Sequence, residues 1–285
     1  MDRKTSYKHS PTSEVAEIRD KKREEEIVLR KQRRKNVVFS KRARCEEENT
    51  VSSTTFTVEQ VGSIGLDIQV IGSDHLELLK QLKKAFAEDL ANIDAFLSID
   101  GAFQSLISLL TCNNPGLQLE ASWCITNIAA GKTDHAMLAL KHASPYLIVY
   151  LQGHSAPLQD QCSWALGNIA CEGPEFREIL IKQGAIQPLI NLLQSPIPRV
   201  IQSAAFAISN FISGPDADIS IFMNGGIAPL LLQHVNSEFD NLPVLAEIAW
   251  VLMYAMASGE FEELLISHDA IPKLVSVTCL LASAD

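Results

Sequence analysis

Residues 121–131, ASWCITNIAAG, decide the reading of this chain because they return three times. They come back almost unchanged at 162–172 as CSWALGNIACE, then more worn at 204–214 as AAFAISNFISG and at 248–258 as IAWVLMYAMAS. The aromatic at the third position stands at Trp123, Trp164, Phe206 and Trp250, in steps of 41, 42 and 44 residues. Four residues after it stand Asn127, Asn168, Asn210 and Tyr254. A period of this length in an apolar, proline-punctuated chain is the signature of stacked helical repeats, each too small to bury its own apolar face.

An independent marker has the same period. Small residues precede an apolar run at Gly101-Ala102-Phe103, His142-Ala143-Ser144-Pro145, Gly184-Ala185-Ile186, Gly225-Gly226-Ile227 and Asp269-Ala270-Ile271. Each unit therefore reads as a small-residue marker, an apolar helix, a proline turn and a Trp–Asn helix. Pro115, Pro157, Pro196 with Pro198, and Pro243 introduce the Trp–Asn helices, at positions where a missing N–H costs little. Leu76, Leu79, Leu82, Lys83 and Phe86, continued by Ile93, Phe96 and Leu97, carry helical spacing into the array from its N-terminal side. The last unit begins at Ala270 and reaches Asp285 after one apolar helix, so an array with an open apolar end is expected to belong to something longer.

Composition agrees with stacked helices. Of 285 residues 47% are hydrophobic and only 6% aromatic, so aliphatic side chains dominate the prospective core. The six cysteines (45, 112, 124, 162, 171, 279) form no CxxC pair and read as small buried hydrophobes. The longest apolar run, Ile248–Ala257, is far shorter than the ~20 residues of a membrane span, and the polar N-terminus lacks a secretory signal. The expectation is a soluble chain without membrane contact.

Charge is unevenly placed. Residues 1–48 carry 15 Lys/Arg against 10 Asp/Glu, a balance of +5, whereas the remainder carries 9 against 24, a balance of −15. Between Glu14 and Arg44 there is neither Gly nor Pro, yet Val15, Ile18, Ile27, Val28 and Leu29 are too few to make a self-sufficient apolar face. Such an arm is expected to become helical only on a partner. Glu46, Glu47 and Glu48 then open a Ser/Thr/Gly-rich passage, and residues 49–73 read as a flexible linker.

The Trp–Asn helices carry the chemistry. Trp123 and Asn127 share a helix face, and stacked units line such faces up as ladders of indoles and amides. An indole slot holds the stem of a Lys or Arg and faces its cation. An amide, donor and acceptor together, can clamp an extended peptide backbone. Glu120 and Glu172 are placed to answer cationic tips. One Trp on an apolar helix is ordinarily core, but core packing does not explain the asparagines, because an unpartnered buried amide costs roughly 1–3 kcal/mol.

Trp-x-x-x-Asn helices at this spacing, after a basic LRKxRR arm, resemble the importin-α family of armadillo-repeat proteins; the arm spacing also resembles a divergent importin-α-like family named for transmembrane and coiled-coil domains. The resemblance implies an all-α armadillo superhelical solenoid over 74–285, about four full repeats and the start of another, behind a conditionally helical basic arm, 1–48. It implies a nuclear import adaptor, cytoplasmic and nuclear, without cofactors, whose partners are importin-β and proteins with lysine-rich nuclear localisation signals. The concave signal-peptide groove would comprise Trp123, Asn127, Gly131, Trp164, Asn168, Glu172, Phe206, Asn210, Glu247, Trp250 and Tyr254. The importin-β-binding arm would use Arg19, Lys21, Lys22, Arg23, Leu29, Arg30, Lys31, Arg33 and Arg34. Lys41, Arg42 and Arg44 would form an autoinhibitory cluster that imitates cargo. Three departures stand out: Phe206 replaces a groove Trp, the Lys41-Arg42 pair is shifted by one residue with its third base at Arg44, and the family's second cargo site is absent.

Rival classes fit less well. A catenin-like armadillo scaffold remains the alternative, although an acidic Trp/Asn groove disfavours acidic partners. Direct nucleic-acid binding by the arm lacks stacking aromatics other than Phe39 and is opposed by the acidic body. No GxGxxG, GxSxG, HExxH or P-loop is present, and the seven His are scattered, so an enzyme is not expected.

Overall fold

In the computed structural model the described residues are 55–213, 217–236 and 241–257, together with Pro272 and Val275. All fall within one compact unit that spans Ser52–Ser213 and Ala217–Asp285. The arm residues Arg19 to Arg34, the cluster Lys41, Arg42 and Arg44, and the expected unit start at Ala270 lie outside the described residues.

The described secondary structure is helical throughout. A first pair, α1 (Val58–Asp67) and α2 (His75–Glu88), leads into four three-helix units. These are α3 (Leu90–Leu97), α4 (Ala102–Leu110) and α5 (Pro115–Ala129); α6 (Thr133–His142), α7 (Ser144–Leu151) and α8 (Ala156–Ala170); α9 (Pro174–Lys182), α10 (Ile186–Leu192) and α11 (Pro198–Phe211); and α12 (Ser220–Asn224), α13 (Ile227–Asn236) and α14 (Leu242–Ala257). The long third helices follow one another as neighbours: α5 packs on α2, α8 on α5, α11 on α8 and α14 on α11. Among the described residues no single helix is long and apolar enough to cross a membrane.

Helix α1 corrects the expectation of a linker over 49–73. Thr57 and Gln60 form a capping box, each side chain bonded to the other's backbone N–H at 3.3 and 2.9 Å. Val61, Ile64 and Ile68 are buried where α1 meets α3. Gly65, which reads as a loop residue in sequence, sits where helices approach closely: a Cβ there would lie 3.2 Å from Ile99 Cγ1. The Phe56 N–H donates to Glu88 Oε2 at 2.9 Å and ties the start of α1 to the end of α2.

Local chemistry sets the punctuation. Asp89 breaks the run 75–97 by accepting the Ala91 N–H at 2.9 Å as N-cap of α3. Gly101, Gly184 and Gly226 have φ of +79°, +85° and +81°, the left-handed conformation that favours glycine, so the small-residue marker is a glycine turn ahead of α4, α10 and α13, whereas Ala143 ahead of α7 is right-handed. Proline occupies the first turn of α5, α8 and α11 as expected. The sequence does not foretell the short first helices α6, α9 and α12. The core is aliphatic, with Leu79, Leu82, Leu106, Leu110, Ile125, Leu140, Leu147, Leu166, Ile169, Leu180, Leu189, Ile208 and Leu231 fully or almost fully buried. Cys124 and Cys162 are buried thiols, and desolvation raises both pKa values far above the ordinary range.

Candidate functional site: aromatic and amide rungs on successive helices

Helices α5, α8, α11 and α14 carry the repeated aromatics at the same position of each repeat, and each packs on the next. The asparagines four residues further on form a ladder of their own. Asn127 Nδ2 donates to the Lys83 carbonyl at 2.9 Å, Asn168 Nδ2 to the Thr126 carbonyl at 3.2 Å, and Asn210 Nδ2 to the Gly167 carbonyl at 2.9 Å. Each amide thus stitches its helix to the helix one unit earlier. The accepting carbonyls of Thr126 and Gly167 also take ordinary helical N–H groups, from Ala130 and Cys171, both at 3.1 Å. This corrects the argument that packing cannot explain the asparagines: the fold itself supplies the partner that a buried amide requires.

The aromatics are held differently from rung to rung. Trp123 is half-buried, and Lys83 Nζ stands 4.6 Å above its ring centroid. The same ammonium lies 2.6 Å from Glu120 Oε2, so Glu120 answers a cation of the chain itself. Trp164 is only 1% exposed and stacks on Phe206, with centroids 4.2 Å apart and planes 15° from parallel. Gly167 makes room for that ring: a Cβ there would come within 2.8 Å of Phe206 Cε1 and 3.0 Å of Ala207 Cα. Phe206 therefore couples the second and third rungs into one aromatic pair. On α14 Trp250 and Tyr254 stack at 6.2 Å, while Glu247 is buried.

The connections after α5 and α8 are also joined. Thr133 Oγ1 donates to Glu172 Oε2 at 2.9 Å, which holds Glu172 beside the connection carrying Gly131. The buried His135 closes on the same connection. Its Nδ1 accepts the Lys132 N–H at 3.3 Å, so Nε2 carries the proton and donates to Asp94 Oδ1 at 2.9 Å. Lys132 Nζ, 2.7 Å from Asp94 Oδ2, donates to that carboxylate and holds its pKa below the ordinary value; the Lys132 pKa is raised in return. Lys83, Asp94, Thr133 and His135 escape a reading of the sequence. Their only sequence signal is that each bonded pair (83 with 127, 94 with 135, 133 with 172) is separated by about one period. Among the described residues no group of His, Cys, Asp and Glu could hold a metal ion.

Comparison with known proteins fits this geometry. Residues 3–92 match the importin beta binding domain and residues 66–285 match the family described as TMCO6. Importin subunit alpha-2 of Oryza sativa subsp. japonica is 33% identical over 281 residues, covering 90% of this chain and 52% of that protein. Importin subunit alpha-9 of Arabidopsis thaliana is 30% identical over 179 residues, covering 61% of this chain and 34% of that protein. The chain thus spans about half the length, or less, of these relatives. Among solved structures, a designed armadillo repeat protein in complex with the peptide (KR)4 aligns with a TM-score of 0.66 and 25% identity, covering 76% of this chain and 91% of the designed one. An engineered protein aligns with a TM-score of 0.67 at 24% identity, covering 76% and 89%, which bears on fold alone.

Proposed function

The chain is an armadillo-repeat protein of the importin-α group and belongs to the TMCO6 family, and from that premise we propose that it is a non-enzymatic nuclear import adaptor. On this reading residues 1–48 bind importin-β, and an extended Lys/Arg-rich signal peptide lies across the rung helices, the chain passing between cytoplasm and nucleus. The observation that carries the reading is the coincidence of two features. The importin beta binding domain match covers the +5 arm, and the aromatics of a 41–44-residue period lie on adjoining helices of a −15 body. The charge polarity fits the chemistry, because an acidic groove with indole faces selects basic peptides. That a designed armadillo protein was solved with (KR)4 supports the same ligand class for this architecture.

In this proposal Trp164, Phe206 and Trp250 with Tyr254 provide the aromatic rungs that meet the peptide. Asn127, Asn168 and Asn210 set the spacing of the rungs through their bonds to the preceding helices, and Gly131, Glu172 and Glu247 complete the polar edge. Lys41, Arg42 and Arg44 compete for the groove in cis. The test uses purified importin-β and a fluorescein-labelled (Lys-Arg)4 peptide with the full chain and with residues 1–48 deleted. Importin-β should bind only the full chain. The peptide should bind the deletion a few-fold more tightly, a gain that shrinks as salt rises, since charges are screened over ~10 Å at 0.1 M salt. Importin-β binding without any peptide binding would replace the cargo reading with that of an armadillo scaffold; loss of both would end the adaptor reading.

A further inference from the structure

Lys83 is gripped at both ends by one rung. Its backbone carbonyl accepts the Asn127 amide at 2.9 Å. Its ammonium stands 4.6 Å over the Trp123 ring and 2.6 Å from Glu120 Oε2. The Lys83 and Glu120 side chains are each only 14% exposed, so solvent and salt screen this arrangement weakly. An indole face for the stem and charge, a carboxylate for the ammonium and an amide for the backbone are together what a lysine of an extended peptide would need at this rung. A lysine of the chain itself already has all three.

Two ammonium groups cannot share that space. At about 4 Å, like charges in a partly desolvated site repel strongly. A second cation must therefore displace Lys83 from Glu120 and from the indole before it gains anything from Trp123. We propose that Lys83 is a resident occupant of the first rung: Trp123 contributes nothing to binding a basic peptide, and Lys83 determines which part of the ladder such a peptide uses. This rests on the groove reading above. It makes the recognition narrower than an open Trp ladder would give, because one rung is satisfied from within. Lys83 is here a specificity-determining residue, acting through the slot that it fills.

The test compares variants of the full chain by anisotropy with fluorescein-labelled (Lys-Arg)4, and by acrylamide quenching of Trp123 emission, isolated by difference against Trp123→Phe. Lys83→Ala should tighten peptide binding by about 3- to 10-fold, the order expected for one freed cation–π slot. Lys83→Met removes the charge and frees Glu120 but keeps an unbranched side chain of similar length beside the indole, so it should tighten binding by less than Lys83→Ala; Lys84→Ala, which removes a charge one residue away, should change affinity less than about twofold. Trp123→Ala should be near neutral in the parent and should cancel the gain in the Lys83→Ala background. A severalfold loss on Trp123→Ala in the parent, or Met and Ala at position 83 behaving alike, would overturn the proposal. If no version binds the peptide, the groove reading falls, and quenching alone decides the occupancy of the rung. Increased quenching of Trp123 in Lys83→Ala supports the resident lysine, and unchanged quenching overturns it.

Discussion

Replacing Asn127 by Asp changes one NH2 group into an oxygen and leaves the side chain's size intact. In the fold the NH2 faces the Lys83 carbonyl at 2.9 Å from a residue that is almost wholly buried. Loss of an amide–carbonyl bond costs about 1 kcal/mol, and that is the expectation for Asn127→Ala plus a little lost packing. Asp adds a second effect, because a carboxylate oxygen would point at a carbonyl oxygen in a desolvated place. An unsatisfied buried charged group costs more than a neutral one, so about 2–4 kcal/mol is expected in all. For a repeat array of this size each kcal/mol lowers Tm by roughly 2–4 °C. The substitution also carries a pH signature. Desolvation and the facing carbonyl raise the folded-state pKa of an introduced Asp, since its protonated form can donate to Lys83 while its anion cannot. A raised folded pKa favours the fold below the unfolded value, and the benefit is lost as pH rises through the folded value. The deficit of Asn127→Asp against the parent should therefore narrow from pH 7 to pH 5, whereas that of Asn127→Ala should stay level. Urea denaturation at the two pH values, followed by far-UV circular dichroism, measures both. If Asp costs no more than Ala at pH 7, the amide is not donating into the fold and the stitching argument fails.

Three further outcomes follow from the same geometry. Gly167→Ala places a methyl within 2.8 Å of Phe206 and 3.0 Å of Ala207 Cα. Overpacking of about 1–3 kcal/mol should exceed the ~1 kcal/mol helix-propensity gain, and a double-mutant cycle with Phe206→Leu should recover part of the loss. Asp94 has a lowered pKa, chiefly through its bond from Lys132, so its contribution is present above its unfolded value and lost as pH falls through the folded one. Asp94→Asn should accordingly flatten the acid limb of a stability–pH curve, by under ~1 kcal/mol because the pair is well exposed. Native alkylation with iodoacetamide should label Cys112 and Cys171 well before Cys124 and Cys162, whose burial suppresses the thiolate, and mass spectrometry reads the order.

The repeat architecture was legible in the chain itself, because stacking forces each unit to present the same apolar phase, the same turn and the same proline. Trp123, Trp164, Phe206 and Trp250, with the asparagines, therefore announced the period and the helices that carry them. Helix α1 was not legible: its glycines read as linker, and only Phe96 on α3 and Ile99 just after it show why Gly65 is small. The short helices α6, α9 and α12 were likewise not legible, because α6 and α9 mix charged with apolar residues and α12 is only five residues long. What only the tertiary structure decided is the partner of each polar group. From sequence Asn127 was an amide awaiting a peptide and Glu120 a carboxylate awaiting a cargo cation, yet both are engaged by Lys83, some forty residues earlier in the chain. Periodicity is written along one chain, but a hydrogen bond between units depends on the separation and rotation of two helices. That geometry arises only when the apolar faces of both are packed together.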